Sequence, residues 1–592
     1  MIEPVLVADV KLSYKNKKEY ESDLVILREA YKEFSKKDFL PINKLNLIDF
    51  NESLNLIRGK MEYLFTYLFV QFHSDTRKTE IMDEAQELLD LSDSLGIKVD
   101  TFTDKLVEFG KEKTMAIIEE CEELKIWKET FSQLLRSQVK SLNKDETKEK
   151  EKREKEFTKM SIEAEKLGNK PLVHHFEHEG KKYTDDESNV LALNPNTSRD
   201  LRKKIFMHNT LDKRENREEI ETMIAEYANK RIEYLKMFGY SSYDQFVGIS
   251  RDEEPLFAKN IMLSSKELFK EIHSKYISRL NDYRKQKFGW DTIMPWDELS
   301  YPSEIVDIPY QEIINFYQNE IKDIFPKESQ YIIDNFSKKG TLAIIESEHK
   351  YNGAAATWTG KNNTYYVTQS YVASIPYSAS TLAHEIGHTM HIVAAKLNKQ
   401  VEEARFSLAI GEGIADTFSM LFAFASMDKG APYAKTIAYE ALARLMQVTS
   451  AFSYNTLAED ALYVKGWKGE EILKEDIAKF AYDFRMQFRP DGNPIIVDGE
   501  NITKKLSTMR YFSVGSHYTF SSYTISFIMA IYLADQIRKG DTSTFIKILN
   551  MGAEEYSTNH ILEMVNIDIT SKEVKDVVLK TVEEITEYII NK

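Results

Sequence analysis

The chain has 592 residues, 79 Lys and Arg against 95 Asp and Glu, a formal net charge of −16 and 42 % apolar residues. Such a chain buries about three or four domains' worth of core, or fewer if one large fold is used, and is neither disordered nor membrane-spanning in composition. Basic residues dispersed through an acidic chain argue against a nucleic-acid partner, and no apolar run reaches the roughly 20 residues that cross a bilayer.

The opening segment, MIEPVLVADVKLSYKNKKEY, has early acidic residues and no long apolar core, unlike a secretory signal, so a cytoplasmic location is expected. From about residue 20 to 140, apolar residues at helical spacing predict several antiparallel helices. Turn residues predict breaks at KKDFLPINKLN and at SDSLGIKVD. The single cysteine, Cys121, excludes an internal disulfide, fits a reducing compartment and reads as a packing residue. Residues 144–156, KDETKEKEKREKE, carry charge on every face and read as a solvated helix or hinge. A second helical block runs from NTSRDLRKKIF to YANKRIEYLKMFGYSSYDQF, with Gly239 ending a helix.

The texture changes near residue 341. TLAIIES is a short β-type run, and AAATWTGKNNTYYVTQSYV reads as two strands joined at GKNN, whose Gly and Asn residues tolerate positive φ. Ser378 or Ser380 would cap the helix that follows, and the rest of the chain is mostly helical.

That helix carries STLAHEIGHTMH, residues 380–391. His384 and His388 are one turn apart on one face, so both imidazoles can reach a single ion. Glu385 sits about 100° round the helix and can approach a water on that ion without binding it. Gly387 in a helix interior costs about 1 kcal/mol relative to Ala, which calls for a packing or access reason. Catalytic zinc takes about three protein ligands and leaves a position open. Downstream, SLAIGEGIADTFSMLFAFASM is apolar on most faces yet carries Glu412 and Asp416 on one of them. An unpaired buried carboxylate is costly, so Glu412 is expected as the third ligand, and Asp416 as acceptor of a ring N–H from a ligating histidine. His391, three residues after His388, is expected in the core or beside a ligand rather than on the metal itself.

These residues are similar to those of the oligoendopeptidase F branch of the thimet oligopeptidase family of zinc metallopeptidases. The separation of His388 from Glu412 suits that family, and NGAAATW and TYYVTQSY stand where its substrate-binding edge strand precedes the motif. YLFTYLFVQFHSDT, MFGYSSY and KGDTSTFIKILNMGAEEYSTNHIL also resemble its segments, so the likeness spans most of the chain. It implies a mainly α, elongated helical zincin-type metallopeptidase with a small β-sheet beside the active-site helix and a deep substrate channel. Residues 1–190 would form an N-terminal helical domain walling the channel, and 191–592 the catalytic domain with one Zn2+ per chain. Two departures are visible. The acidic residue seven positions after the third ligand is replaced by Ser419, and the C-terminal tyrosine spacing is not reproduced in RYFSVGSHYTFSSYTISF. Within that stretch Tyr523 matches best as oxyanion donor, followed by His517 and Tyr518, with Tyr511 a further candidate.

The reaction expected is hydrolysis of internal peptide bonds in short peptides, Glu385 activating a zinc-bound water, with strand 364–371 holding the substrate by β-augmentation. The alternatives are a zinc carboxypeptidase or dipeptide-releasing peptidase, a helical peptide-binding protein with an inactive or structural zinc site, and gluzincin-like aminopeptidase or epoxide chemistry. Neither oligomeric state nor cleavage preference follows from the residues.

Overall fold

The structure, a computed structural model, describes all residues except 1, 79, 138, 140–143, 169–175, 211–215, 348, 351–355, 400–405, 490–491, 508, 510–513 and 552–556. Helices dominate, as a chain sparse in Gly and Pro requires. The first block is built from α1 (Lys17–Lys36), α2 (Lys44–Ser74) and α3 (Glu80–Phe109). Asn16 and Asn43 start α1 and α2 by accepting the backbone N–H of Glu19 and Asn46, each at 3.0 Å. Phe34, Phe39, Phe50, Phe102 and Phe131 form the aromatic centre of this block, with Cys121 packed in the same core. The break at KKDFLPINKLN is present. The one expected at SDSLGIKVD is not, because Gly96 lies inside α3. Burial of Leu95, Val99 and Phe102 outweighs the helix-interior cost of one glycine.

The charged segment belongs to α4 (Lys144–Gly168), whose C-terminal half buries Phe157, Met160 and Ala164 against Ile224, Tyr227 and Ala228 of α5 (Arg217–Met237). Gly239, at φ 86°, follows the end of α5 as expected. α6 (Tyr243–Arg251) packs onto the same cluster.

The described strands form small sheets. β1 (Phe176–His178) and β2 (Lys181–Tyr183) make one hairpin. β3 (Leu342–Ile345), β4 (Ala356–Gly360) and β5 (Thr364–Tyr371) form a sheet in the order β3-β5-β4. At the GKNN turn the positive φ is taken by Asn362 and Asn363, at 61° and 52°, while Gly360 stays extended at −92°. The topology corrects one expectation: β5 pairs with β3 on one side and β4 on the other, so both its edges are filled and it cannot accept a substrate strand. Among the described residues, β4 has no strand partner on its other side. Residues 351–355, which include part of NGAAATW, lie outside the described residues.

α7 (Pro376–Lys399) follows the sheet. It begins earlier than either predicted serine cap, at a proline whose missing N–H costs nothing in the first turn. Ser378 Oγ instead accepts the N–H of Val372, at 3.3 Å. Ala379, Leu382, Ala383, Ile386, Met390 and Val393 are fully buried, and this apolar stripe seats α7 in the main core.

α8 (Leu408–Lys429) starts at Ser407, whose Oγ accepts the N–H of Ile410, at 3.3 Å, and ends at Gly430 in the left-handed region. Among the described residues it is the one helix long and apolar enough to cross a membrane, but 83 % of that window is buried inside the protein. It is a core helix, packed between α7 and α11 (Thr519–Arg538), with α9 (Ala434–Gln447) alongside both α7 and α8. α10 (Ser453–Trp467) joins the cluster around α5.

Candidate active site

The α7–α8 contact is unusually close because of Gly387. A Cβ there would lie 2.8 Å from the Phe418 ring and 2.9 Å from the Ala415 Cα, so only glycine lets the two backbones approach. Ser419 strengthens the contact by donating to the Ser380 carbonyl at 2.9 Å, which makes it a helix-packing residue.

With the helices this close, Glu412 and Asp416 reach across from α8. One Glu412 oxygen lies 3.2 Å from His384 Nε2 and the other 3.8 Å from His388 Nε2. The two imidazoles stand perpendicular, their centroids 4.5 Å apart. Asp416 Oδ1 lies 2.9 Å from His384 Nδ1. A carboxylate can only accept, so Nδ1 carries a proton and Nε2 is the ring nitrogen that faces Glu412. The other Asp416 oxygen accepts from Ser526 Oγ on α11, at 3.1 Å.

The electrostatics of these groups bear on how a cation would be received. Burial disfavours charge on His384, but Asp416 and Glu412 outweigh it and raise its pKa well above the ordinary value. Burial likewise opposes ionisation of Glu412, yet the histidines, His384 foremost, hold it down to about 2. Burial and the neighbouring charge of His384 keep His388 below its usual range. A proton on His384 thus stands where a metal ion would satisfy the same carboxylates. Two imidazole nitrogens and one carboxylate are a donor set suited to zinc and ill suited to Mg2+ or Ca2+, which take oxygen.

Glu385 also brings a ligand-type atom within 4.8 Å of His384 and His388. It is distinguished from Glu412 by a partner from the sheet. Thr357 Oγ1 of β4 lies 2.9 Å from Glu385 Oε2 and 2.7 Å from the Glu385 carbonyl oxygen. One hydroxyl can serve both protonation states. It donates to the carboxylate, and once Glu385 is protonated it turns its hydrogen to the carbonyl and accepts from the acid. Thr357→Val is expected to lower kcat about tenfold, the scale of one hydrogen bond to a charged group, with zinc content unchanged and Thr357→Ser close to wild type. Wild-type kcat in the valine variant would remove this role. Nothing in the sequence marks Thr357, since its function depends on β4 lying against α7.

Of the described C-terminal candidates, Tyr523 is the one whose surroundings include the candidate metal ligands. Burial, then the charges of Glu412 and Asp416, push its hydroxyl above the ordinary range. Its ring meets Phe452 edge-on with centroids 5.8 Å apart, and its carbonyl accepts from the same Ser526 hydroxyl, at 2.9 Å.

His517 and Tyr518 are placed elsewhere, in the cluster around α5, α6 and α10. Tyr243 Oη donates to Glu459 at 2.5 Å and accepts from His517 Nδ1 at 2.8 Å. His517 Nε2 then accepts from Tyr227 Oη at 3.2 Å, and that hydroxyl accepts from Arg231 Nη2 at 2.9 Å. The chain of donors runs from a buried cation to a buried anion, and among the described residues nothing joins it to His384 or His388. Tyr518, left-handed at φ 53°, gives its hydroxyl to Asp460 at 2.6 Å. These contacts set the start of α11, and thereby the turn that carries Tyr523. His391 is buried and stacks on Phe406 with ring centroids 3.9 Å apart, a core position. Tyr511 lies outside the described residues.

Residues 192–412 match the model of Peptidase family M3, a span that contains His384, Glu385 and His388 and ends on Glu412. No curated protein matches the sequence. Among solved structures the fold is similar to that of a candidate peptidase from Chlamydophila abortus, at 15 % identity and TM-score 0.76 over 100 % of this chain and 98 % of that one. It is similar as well to oligoendopeptidase-F from Enterococcus faecium, at 14 % identity and TM-score 0.64 over 97 % and 99 %. A third similar structure is PZ peptidase A with an inhibitor, at 12 % identity and TM-score 0.73 over 95 % and 97 %. At these identities the structures show a shared fold. The resemblance holds as a Peptidase family M3 match over residues 192–412 and a fold shared with oligoendopeptidase-F, the mainly α fold class is borne out, and the family match supports a peptidase.

Proposed function

We propose that this protein, with its Peptidase family M3 segment as premise, is a zinc-dependent oligoendopeptidase that cuts internal bonds of short peptides. His384, His388 and Glu412 would hold the zinc, and Asp416 would fix the His384 tautomer. The observation that carries the reading is the convergence of Glu412 on both Nε2 atoms while Glu385, beside them, is engaged by a sheet hydroxyl. A structural metal site has no use for such an additional carboxylate.

Zinc, when bound, supplies Lewis acidity towards water and the scissile carbonyl. Glu385 takes the proton from the attacking water and returns one to the leaving amine, with Thr357 steadying both of its states. The Tyr523 hydroxyl, kept protonated by burial and by Glu412, donates to the developing oxyanion. The peptide adds to the outer edge of β4 by main-chain hydrogen bonds, which predicts broad side-chain tolerance. Residues 1–190 would wall the substrate channel against a catalytic part of 191–592. A reducing, cytoplasmic setting accords with the lone buried cysteine, and no nucleic acid or membrane partner is invoked.

The test is a length ladder of peptides blocked at both ends, with products mapped by mass. Internal cleavage with an upper limit on length, abolished by a chelator and restored by zinc, is expected. No cleavage of the blocked peptides, with trimming of the same peptides once unblocked, would establish an exopeptidase instead.

A further inference from the structure

Beyond the zinc ligands and Glu385, α9 brings a guanidinium to the edge of this site. Arg444 is half-buried, with its Cζ 5.4 Å from the Phe452 ring centroid and 5.6 Å from that of Tyr523. Two aromatic faces hold it, an arrangement that restrains a guanidinium without consuming its N–H groups. Among the described residues its one hydrogen bond is from Nη1 to Gln447 on the solvent side, at 3.0 Å, and it makes no ion pair. Glu440, one turn back on α9, is engaged by the Tyr301 hydroxyl.

An arginine in a chain of net charge −16, seated on rings and left without a carboxylate, presents a planar fork of donors matched to an incoming one. We propose that Arg444 is a substrate-binding residue that receives a peptide carboxylate close to the scissile bond. This rests on the peptidase reading and narrows it: the main-chain contacts of β4 leave side chains unread, whereas Arg444 rewards a negative charge at one position. The carboxylate has two sources, a free C-terminus just beyond the cut or an acidic side chain beside it.

The test uses the full-length zinc protein and three versions of one peptide: free C-terminus, C-terminal amide, and free C-terminus with the glutamate nearest the cut replaced by glutamine. Binding is measured by calorimetry on Glu385→Gln protein, with and without Arg444→Gln, and kcat/KM on proteins with wild-type Glu385. Removing the relevant carboxylate from the peptide is expected to weaken binding about tenfold, the scale of one charge-assisted pair, and this penalty should vanish with Arg444→Gln and return in part with Arg444→Lys. The peptide that shows the penalty identifies the source. An equal penalty with and without the arginine, or no penalty in the parent protein, overturns the proposal. If no peptide is hydrolysed by the wild-type protein, the peptidase reading fails, while the calorimetric comparison still decides the role of Arg444. The lysine variant keeps the experiment decisive should the glutamine variant fold poorly.

Discussion

Replacing Glu385 by glutamine is expected to lower kcat about a thousandfold or more while the protein still binds zinc, within the range that positioned acid–base groups contribute. Glu385 is 7 % exposed, so a change in its size or hydrogen bonding would disturb the fold. Glutamine avoids both effects: it matches the volume, and its amide oxygen can still accept from Thr357. What it removes is the ability to take up a proton, so a loss confined to kcat isolates that step. Metal content by mass spectrometry and kcat on a doubly blocked peptide check the two halves of the expectation. Activity within tenfold of wild type would end the assignment of Glu385 as base. Loss of zinc together with activity would make Glu385 a ligand, an outcome left open by its nearness to both histidines.

The parts of this site that were legible in the sequence are those fixed by helical spacing. His384 with His388, and Glu412 with Asp416, are each four residues apart, so each pair had to share a face whatever the surroundings. Burial cost then linked the two pairs, because α8 has too few polar neighbours of its own to satisfy two carboxylates. Contacts that depend on register between distant elements were not legible. Thr357 faces Glu385 only because β4 is the edge of a sheet whose strand order departs from chain order. That same reversal made β5, the longer and more regular strand, the wrong choice for the substrate edge. Arg444 and Ser526 meet the site through helix packing alone. His517 was misleading for a related reason: its type suits catalysis, but Tyr227, Tyr243 and Glu459, which determine its surroundings, are 58 to 290 residues away in sequence. Gly96 failed as a break because tertiary burial overrode local propensity, whereas the LPIN segment held as one because proline removes a donor regardless of packing.

Gly387 provides the second large effect. Alanine is the better helix former by about 1 kcal/mol, so on propensity alone Gly387→Ala should stabilise α7. The opposite is expected. The added Cβ would stand 2.9 Å from the Ala415 Cα and 3.2 Å from the Ala415 carbonyl oxygen, both backbone atoms that no rotamer change can move, and 2.8 Å from the fully buried Phe418 ring. Overpacking of this kind costs about 1–3 kcal/mol, and relief requires α7 and α8 to separate. The proposed metal donors straddle that contact, with His384 and His388 on one helix and Glu412 on the other. A shift of a few tenths of an ångström would therefore lengthen the approach of Glu412 and loosen the 2.9 Å bond from His384 to Asp416 together. Expected results are a lower Tm for the metal-free protein, zinc affinity reduced about 10- to 100-fold as for other lost supports of a metal site, and a smaller rise in Tm on adding zinc than in wild type. Unfolding curves with and without zinc, alongside a metal-competition titration, measure all three. An alanine variant with unchanged zinc affinity and raised Tm would show that α7 and α8 do not meet at Gly387, and the geometry that brings Glu412 to both histidines would fall with that contact.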